Sequence, residues 1–244
     1  MKLQLEIAYH GAGINGWQSQ ACGNTVQDYL EKAFLALCRE RITVHGAGRT
    51  DAGVHAEAQC AHADVPSERL SLREWLPALN AHLPDAIRVM KISEATEDFH
   101  ARFSAKGKIY RYTIWNGPAL HPLMKDRAWH VHGSLDFERL ERACRLFTGT
   151  HDFAAFSLRR SDAREETVRT INSIRAHTAA EKIELTFEGE GFLYKMVRIL
   201  SAAIIRHASG KVEKAELASQ LSAAAPAFVH AAPAAGLCLV RVIY

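Results

Sequence analysis

Leu3, Leu5, Ile7 and Tyr9 alternate with other residues at the period of a half-buried strand, so Lys2 to Tyr9 is expected to be the first strand. His10 to Gly23 breaks the pattern with four glycines around Trp17 and reads as a loop. The spacing then becomes helical. Val26, Tyr29, Leu30, Ala33, Phe34 and Leu37 share a face behind Thr25, a suitable N-cap. Ile42 to His45 and Ala58 to Val65 read as strands on either side of a glycine-rich stretch. Ser71-Leu72-Arg73-Glu74 is a capping box that opens a second amphipathic helix through Trp75, Leu76, Leu79 and Leu83, stopped by Pro84. Ile87 to Ile92 and Lys108 to Trp115 are the next strands. In the latter Tyr110, Tyr112 and Ile114 share a face, with Lys108 at its start. Asp136 caps a helix that turns Phe137, Leu140, Ala143, Cys144 and Phe147 inward and ends near Gly149. Thr167 to Ala176 and Lys182 to Glu190 are two further strands. Strand and helix patterns thus alternate along the chain, without a convincing internal repeat.

Composition narrows the class. Of 244 residues, 48% are hydrophobic and 23% charged, which suits a folded protein of one domain or two small ones. The formal charge of +3 permits an RNA partner without demanding one. Five scattered cysteines with no CxxC pair read as reduced thiols of a cytoplasmic protein. Glu6 stands where a signal peptide needs an apolar core. The most apolar helical run, Phe192 to Ala208, carries Lys195, Arg198 and Arg206, which argues against a membrane span. The segment from Ser157 to Arg169 is dense in charge (Arg159, Arg160, Asp162, Arg164, Glu165, Glu166). It reads as a mobile surface loop, serving solubility or gripping an RNA stem.

The stretch with most chemistry runs from Gly46 to Ala56, with three glycines in eight residues. A glycine-rich turn between strands presents a side chain to a ligand, and here the reactive candidate is Asp51, two residues after Arg49. The plain reading is a surface turn; the sharper one is a carboxylate kept ionised beside a cation. Neither a dinucleotide fingerprint nor a phosphate-loop Gly-Lys-Ser/Thr is present.

GRTDAGVHA, Gly48 to Ala56, resembles the signature of the tRNA pseudouridine synthase A family. GWQSQ (16 to 20), TVQDYLEKA (25 to 33), His151-Asp152-Phe153, Phe156-Ser157, GFLYKMVR (191 to 198) and the terminal APAAGLCLVRVIY resemble further blocks of it. The chain departs from the family pattern after MVR, with Ile199 for the usual Asn, and within Ser201-Ala202-Ala203, where a glycine is usual. The resemblance implies an α/β fold in which two ferredoxin-like halves, related by a pseudo-two-fold, surround a mixed, mostly antiparallel central sheet with a cleft. Residues 1–105 would carry the Asp loop and 106–244 the pocket Tyr and Arg, together one catalytic unit. It implies isomerisation of uridine to pseudouridine at positions 38 to 40 of the tRNA anticodon arm, by a homodimer, with no cofactor and no metal. Asp51 would be the nucleophile, at the sugar C1′ or the pyrimidine ring, or would remove a ribose proton. Arg198 would hold Asp51 ionised, Arg49 would help open or occupy the place of the flipped nucleotide, and Tyr110 would stack on the base and relay a proton.

Two rivals compete with this reading. A metal hydrolase could draw on thirteen histidines, but the best fragment, His130-Val131-His132, lacks the HExxH spacing. A non-catalytic RNA-binding protein of the same fold is the alternative function. The joint presence of Asp51, Tyr110 and Arg198 argues against it.

Overall fold

The computed structural model describes residues 1–66, 70–158, 166–222 and 230–244. The chain forms two compact units, one of residues 1–106 with 238–244, the other of residues 107–237.

The first unit is built as strand–helix–strand–strand–helix–strand: β1 (Lys2–Tyr9), α1 (Val26–Cys38), β2 (His45–Gly46), β3 (His55–Asp64), α2 (Leu72–Ala81) and β4 (Ile87–Glu94). Its sheet runs β4-β1-β3, antiparallel throughout. The other edge of β3 takes β2 antiparallel at His62–Ala61. That edge also takes the chain's last strand, β10 (Leu237–Ile243), parallel at His55–Ala56. This order of elements is the ferredoxin-like one. The alternation in β1 does what the pattern predicts: Leu3, Leu5 and Ile7 are fully buried. Each such side chain contributes about 1.5–3 kcal/mol by leaving water. Thr25 and Ser71 cap α1 and α2 with complete capping boxes. Phe34 of α1 and Trp75 of α2 then meet with ring centroids 5.7 Å apart.

Two strand starts differ from the sequence reading by three residues each. Ile42 to Val44 is not strand, because α1 side chains take the backbone groups a ladder would need. The Val44 amide donates to Glu31 Oε1 at 3.1 Å, and Gln27 Nε2 donates to the Val44 carbonyl at 3.3 Å. Only His45–Gly46 remains to pair. β3 in turn begins at His55, three residues before Ala58, where β10 gives it a partner.

The second unit holds β5 (Gly107–Trp115), β6 (Trp129–His130), α3 (Phe137–Phe147), β7 (Gly149–Asp152), β8 (Val168–Ala179), β9 (Lys182–Gly189), α4 (Met196–Ala208) and α5 (Lys214–Ser222). Its strands run β5-β9-β8-β7, antiparallel, with β6 parallel on β5. Asp136 caps α3 by accepting from the Arg139 amide at 2.9 Å. Leu140, Ala143, Cys144 and Phe147 are buried as expected, while Phe137, at the first helical position, is exposed. Arg159 to Glu165 of the expected charged loop lie outside the described residues.

The long apolar helix begins later than its first apolar residues. Phe192 and Leu193 are irregular, Tyr194 and Lys195 form a turn, Lys195 takes a left-handed backbone (φ 59°), and α4 starts at Met196. No helix among the described residues is long and apolar enough to cross a membrane.

Candidate active site

Asp51 lies on the connection between β2 and β3. The turn is closed by the Val54 amide, which donates to the Asp51 carbonyl at 3.1 Å, and by Gly53 at φ 80°. A side chain at Gly53 would be strained. This leaves the Asp51 side chain half-buried at the start of β3.

The turn is held by the glycine-rich loop before α1, which sequence reasoning alone treats as uninformative. The Trp17 amide donates to the Thr50 carbonyl at 3.1 Å, and the Gly53 amide to the Ile14 carbonyl at 3.2 Å. The Gly11 amide donates to His55 Nδ1 at 3.0 Å. Gly16 has φ 83°, and a Cβ there would stand 2.5 Å from the Thr50 carbonyl oxygen. Gly46 likewise leaves room for the Trp17 ring, which is buried. The same loop serves α1, whose first amides, Val26 and Gln27, donate to the Gly16 and Trp17 carbonyls at 3.0 Å each. Residues 16 and 17 therefore tie the helix N-terminus to the residue preceding Asp51, satisfying orphan amides on the way.

From below, the Tyr9 and Thr50 hydroxyls share a hydrogen bond of 2.8 Å. Burial pushes the Tyr9 phenol far above its ordinary range, so it stays protonated. Gln59 Nε2 donates to the Gly48 carbonyl at 2.9 Å. Tyr9 and Gln59 support the turn and were missed because each reads as an ordinary strand residue. Arg49 is exposed, and its Nε donates to Gln18 Oε1 at 3.1 Å. Gln18 Nε2 donates in turn to Gln27 Oε1 at 2.6 Å.

Tyr110 and Arg198 belong to the second unit. Tyr110 is 8% exposed on β5, on the face it shares with Tyr112 and Ile114, and meets the Phe192 ring edge-on at 5.2 Å. Arg198 is the third residue of α4 and is half-buried. Its Nε donates to the Ala232 carbonyl at 2.7 Å, and its own carbonyl accepts from the Ala232 amide at 3.1 Å. The segment before β10 thus clamps the arginine. It also clamps Tyr112, whose hydroxyl donates to the Pro233 carbonyl at 2.8 Å. Gly236 packs where a Cβ would come within 2.7 Å of the Tyr112 ring. Burial raises the Tyr112 phenol, and the Arg198 charge opposes that in part. The structure thus gathers Asp51 and Arg49 in one unit and Tyr110 and Arg198 in the other. Among the described residues no group of three His, Cys, Asp or Glu is placed to hold a metal ion.

Residues 8–104 and 143–244 match a protein family described as tRNA pseudouridine synthase. Curated relatives named tRNA pseudouridine synthase A are similar over most of their length. One from Akkermansia muciniphila is 43% identical, over 100% of this chain and 95% of the relative. One from Solidesulfovibrio magneticus is 44% identical, over 100% and 91%. One from Acetivibrio thermocellus is 40% identical, over 99% of each.

Proposed function

The chain belongs to the tRNA pseudouridine synthase family, and on that premise we propose that it isomerises uridines 38 to 40 in the anticodon arm of tRNA, with Asp51 as the reacting carboxylate. Pseudouridine formation breaks the bond between N1 of the base and C1′ of the ribose. The ring then rejoins C1′ through C5, C5 loses its proton, and N1, freed from the sugar, gains one. Atoms balance within the substrate, so the reaction is an isomerisation. The target base must leave the stack to be reached.

Each residue's part follows from its setting. Asp51 sits on a turn fixed from three sides, which suits a group that must meet one atom of a flipped nucleotide. It acts as nucleophile, at C1′ or on the pyrimidine ring, or removes a ribose proton. Arg198 pairs with it and keeps it ionised. Tyr110, packed edge-on by Phe192, offers its ring to the base and its hydroxyl to a proton. Arg49, exposed and steered by Gln18, helps hold the duplex open. The enzyme works in the cytoplasm as a homodimer on RNA held mainly through its phosphates.

The observation that carries the reading is the similarity to tRNA pseudouridine synthases A over the full chain. Its test is tritium release from tRNA transcripts labelled at C5 of uridine, with uridines 38, 39 and 40 replaced by cytidine one at a time. Release that disappears only with those uridines supports the reading. Release from none of the transcripts, or from other positions, overturns it.

A further inference from the structure

A row of four rings lies on the first unit, at the far end of β3 from the Asp51 turn. His45 stacks on His62 with centroids 5.0 Å apart and planes 21° apart. His62 meets His100 edge-on at 4.6 Å, and His100 lies against Phe103 at 4.4 Å. The row starts at exposed His45 and ends at Phe103, which is 75% exposed. The Arg102 guanidinium lies over the Phe103 ring, 5.6 Å from its centroid.

The turn that presents Phe103 is fixed by its own hydrogen bonds. The Ser104 amide donates to the His100 carbonyl at 2.9 Å, and the His100 amide donates to Ser104 Oγ at 3.0 Å. His100 Nδ1 accepts from the Arg102 amide at 3.1 Å, and His62 Nδ1 from the Ala101 amide at 3.1 Å. Phe103 is therefore an aromatic ring held out rigidly into solvent. Its chain neighbours are Arg102, Ser104 and, three residues on, the exposed Lys106, not an apolar patch. A protein partner would ask for contiguous apolar surface. A single flat ring with cations beside it suits a nucleobase and its phosphate, because every base has a π-face and stacking needs no sequence.

We propose that Phe103, backed by His100 and flanked by Arg102, is a stacking platform for an unpaired base of the tRNA, at a nucleotide other than the one isomerised. The proposal rests on the tRNA reading above. His62 stands seven residues along β3 from His55, about 23 Å at the strand rise. A base on Phe103 therefore cannot be the base at Asp51. The platform contributes to holding the RNA, not to the chemical step.

The test is gel-shift titration of the full-length protein with an unmodified tRNA transcript, beside single-turnover tritium release at saturating enzyme. Phe103→Ala should weaken the Kd about tenfold, the scale of one lost base–aromatic stack. Phe103→Leu, which keeps apolar area without the π-face, should weaken it nearly as much, and Phe103→Trp should restore it. The saturated single-turnover rate should match wild type in all three. A Kd unchanged in Phe103→Ala, or fully kept in Phe103→Leu, overturns the platform. So does a fall in the saturated rate with Kd intact. Sedimentation of the same variants would expose a subunit contact: a dimer that dissociates in Phe103→Ala assigns the ring to another copy of the chain and overturns the proposal. A wild type that binds the transcript without releasing tritium would fail the activity reading and leave the binding comparison readable.

Discussion

A methyl group at Gly16 tests whether the loop before α1 is the template for the Asp51 turn. Gly16 and Gly13 both have left-handed backbones, at φ 83° and 76°. A Cβ at Gly13 meets nothing within 4 Å, whereas at Gly16 it stands 2.5 Å from the Thr50 carbonyl oxygen and 2.9 Å from the Asp51 carbonyl carbon. Both variants carry the conformational cost of alanine in that region, about 1–2 kcal/mol. A stiffer unfolded chain offsets about 0.4–1 kcal/mol of it. Gly13→Ala should therefore lose about 0–1.6 kcal/mol. Gly16→Ala adds a clash with backbone, which cannot rotate away, and forced displacement of packed groups costs about 1–3 kcal/mol. At about 2–4 °C per kcal/mol for a chain of this size, the two midpoints should differ by roughly 2–12 °C. The group displaced is the peptide that carries Asp51, and a shift on the order of 1 Å at a reacting group costs about a hundredfold in rate. The measurements are urea and thermal melts of both variants, and single-turnover tritium release at saturating enzyme. If Gly16→Ala matches Gly13→Ala in midpoint and in rate, the loop does not set the turn and the reasoning fails.

Asp51→Asn should fold, bind tRNA within about tenfold of wild type, which is about 1.4 kcal/mol, and make no pseudouridine with enzyme in excess. Single-turnover activity within about a hundredfold of wild type would exclude Asp51 as the obligatory group. Arg198→Ala should lose activity and between about 1 and 5 kcal/mol of stability, the span from a partly exposed to a buried pair with one member removed. Arg198→Lys should recover part of this, since lysine lacks the planar fork; full activity in Arg198→Ala would dispose of the pairing. For Tyr110, stacking alone predicts Phe near wild type and Ala poor, whereas proton relay predicts a slow Phe variant with intact tRNA affinity; full activity in both would return Tyr110 to a packing role. His62 is pushed down to about 4 from an ordinary 6.5, by burial first and then by His100 and His45. A folded value below the unfolded one means stability is whole above pH 6.5 and is lost as pH falls towards about 4. His62→Gln should flatten that loss, and an acid limb of the melting profile unchanged from wild type would refute it.

What the sequence disclosed depended on how local the physics is. The β1 alternation, the capping boxes at Thr25 and Ser71, and the aromatic face of β5 are decided within a few residues, and the structure has them where the pattern puts them. The turn that carries Asp51 was legible for the same reason, because three glycines in a short window mark a turn. The groups that aim it were not. Val44 looks like strand until Glu31 and Gln27, a helix away, take its amide and carbonyl. Nothing near Leu237 says that β10 will run parallel along His55 and Ala56, or that the residues before it will clamp Arg198. Tyr9 lies on the buried face that the β1 alternation predicts, yet its hydroxyl meets Thr50, the residue beside Asp51. Patterns of period 2 and 3.6 report which face is buried; they are silent on what a buried polar atom touches there. The glycines of the first loop could still have given the signal. Gly11, Gly16 and Gly46 are required by backbone or ring atoms arriving from elsewhere in the chain. A cluster of glycines beside a buried tryptophan is what such arrivals leave in a sequence. The turn at Asp51 is therefore best seen as the product of two glycine-rich segments folded against each other, each making the other's conformation necessary. Substitutions at Gly11, Gly16 and Trp17 should for that reason weigh on catalysis as heavily as many within residues 48 to 56, and substitutions at Gly13 should not.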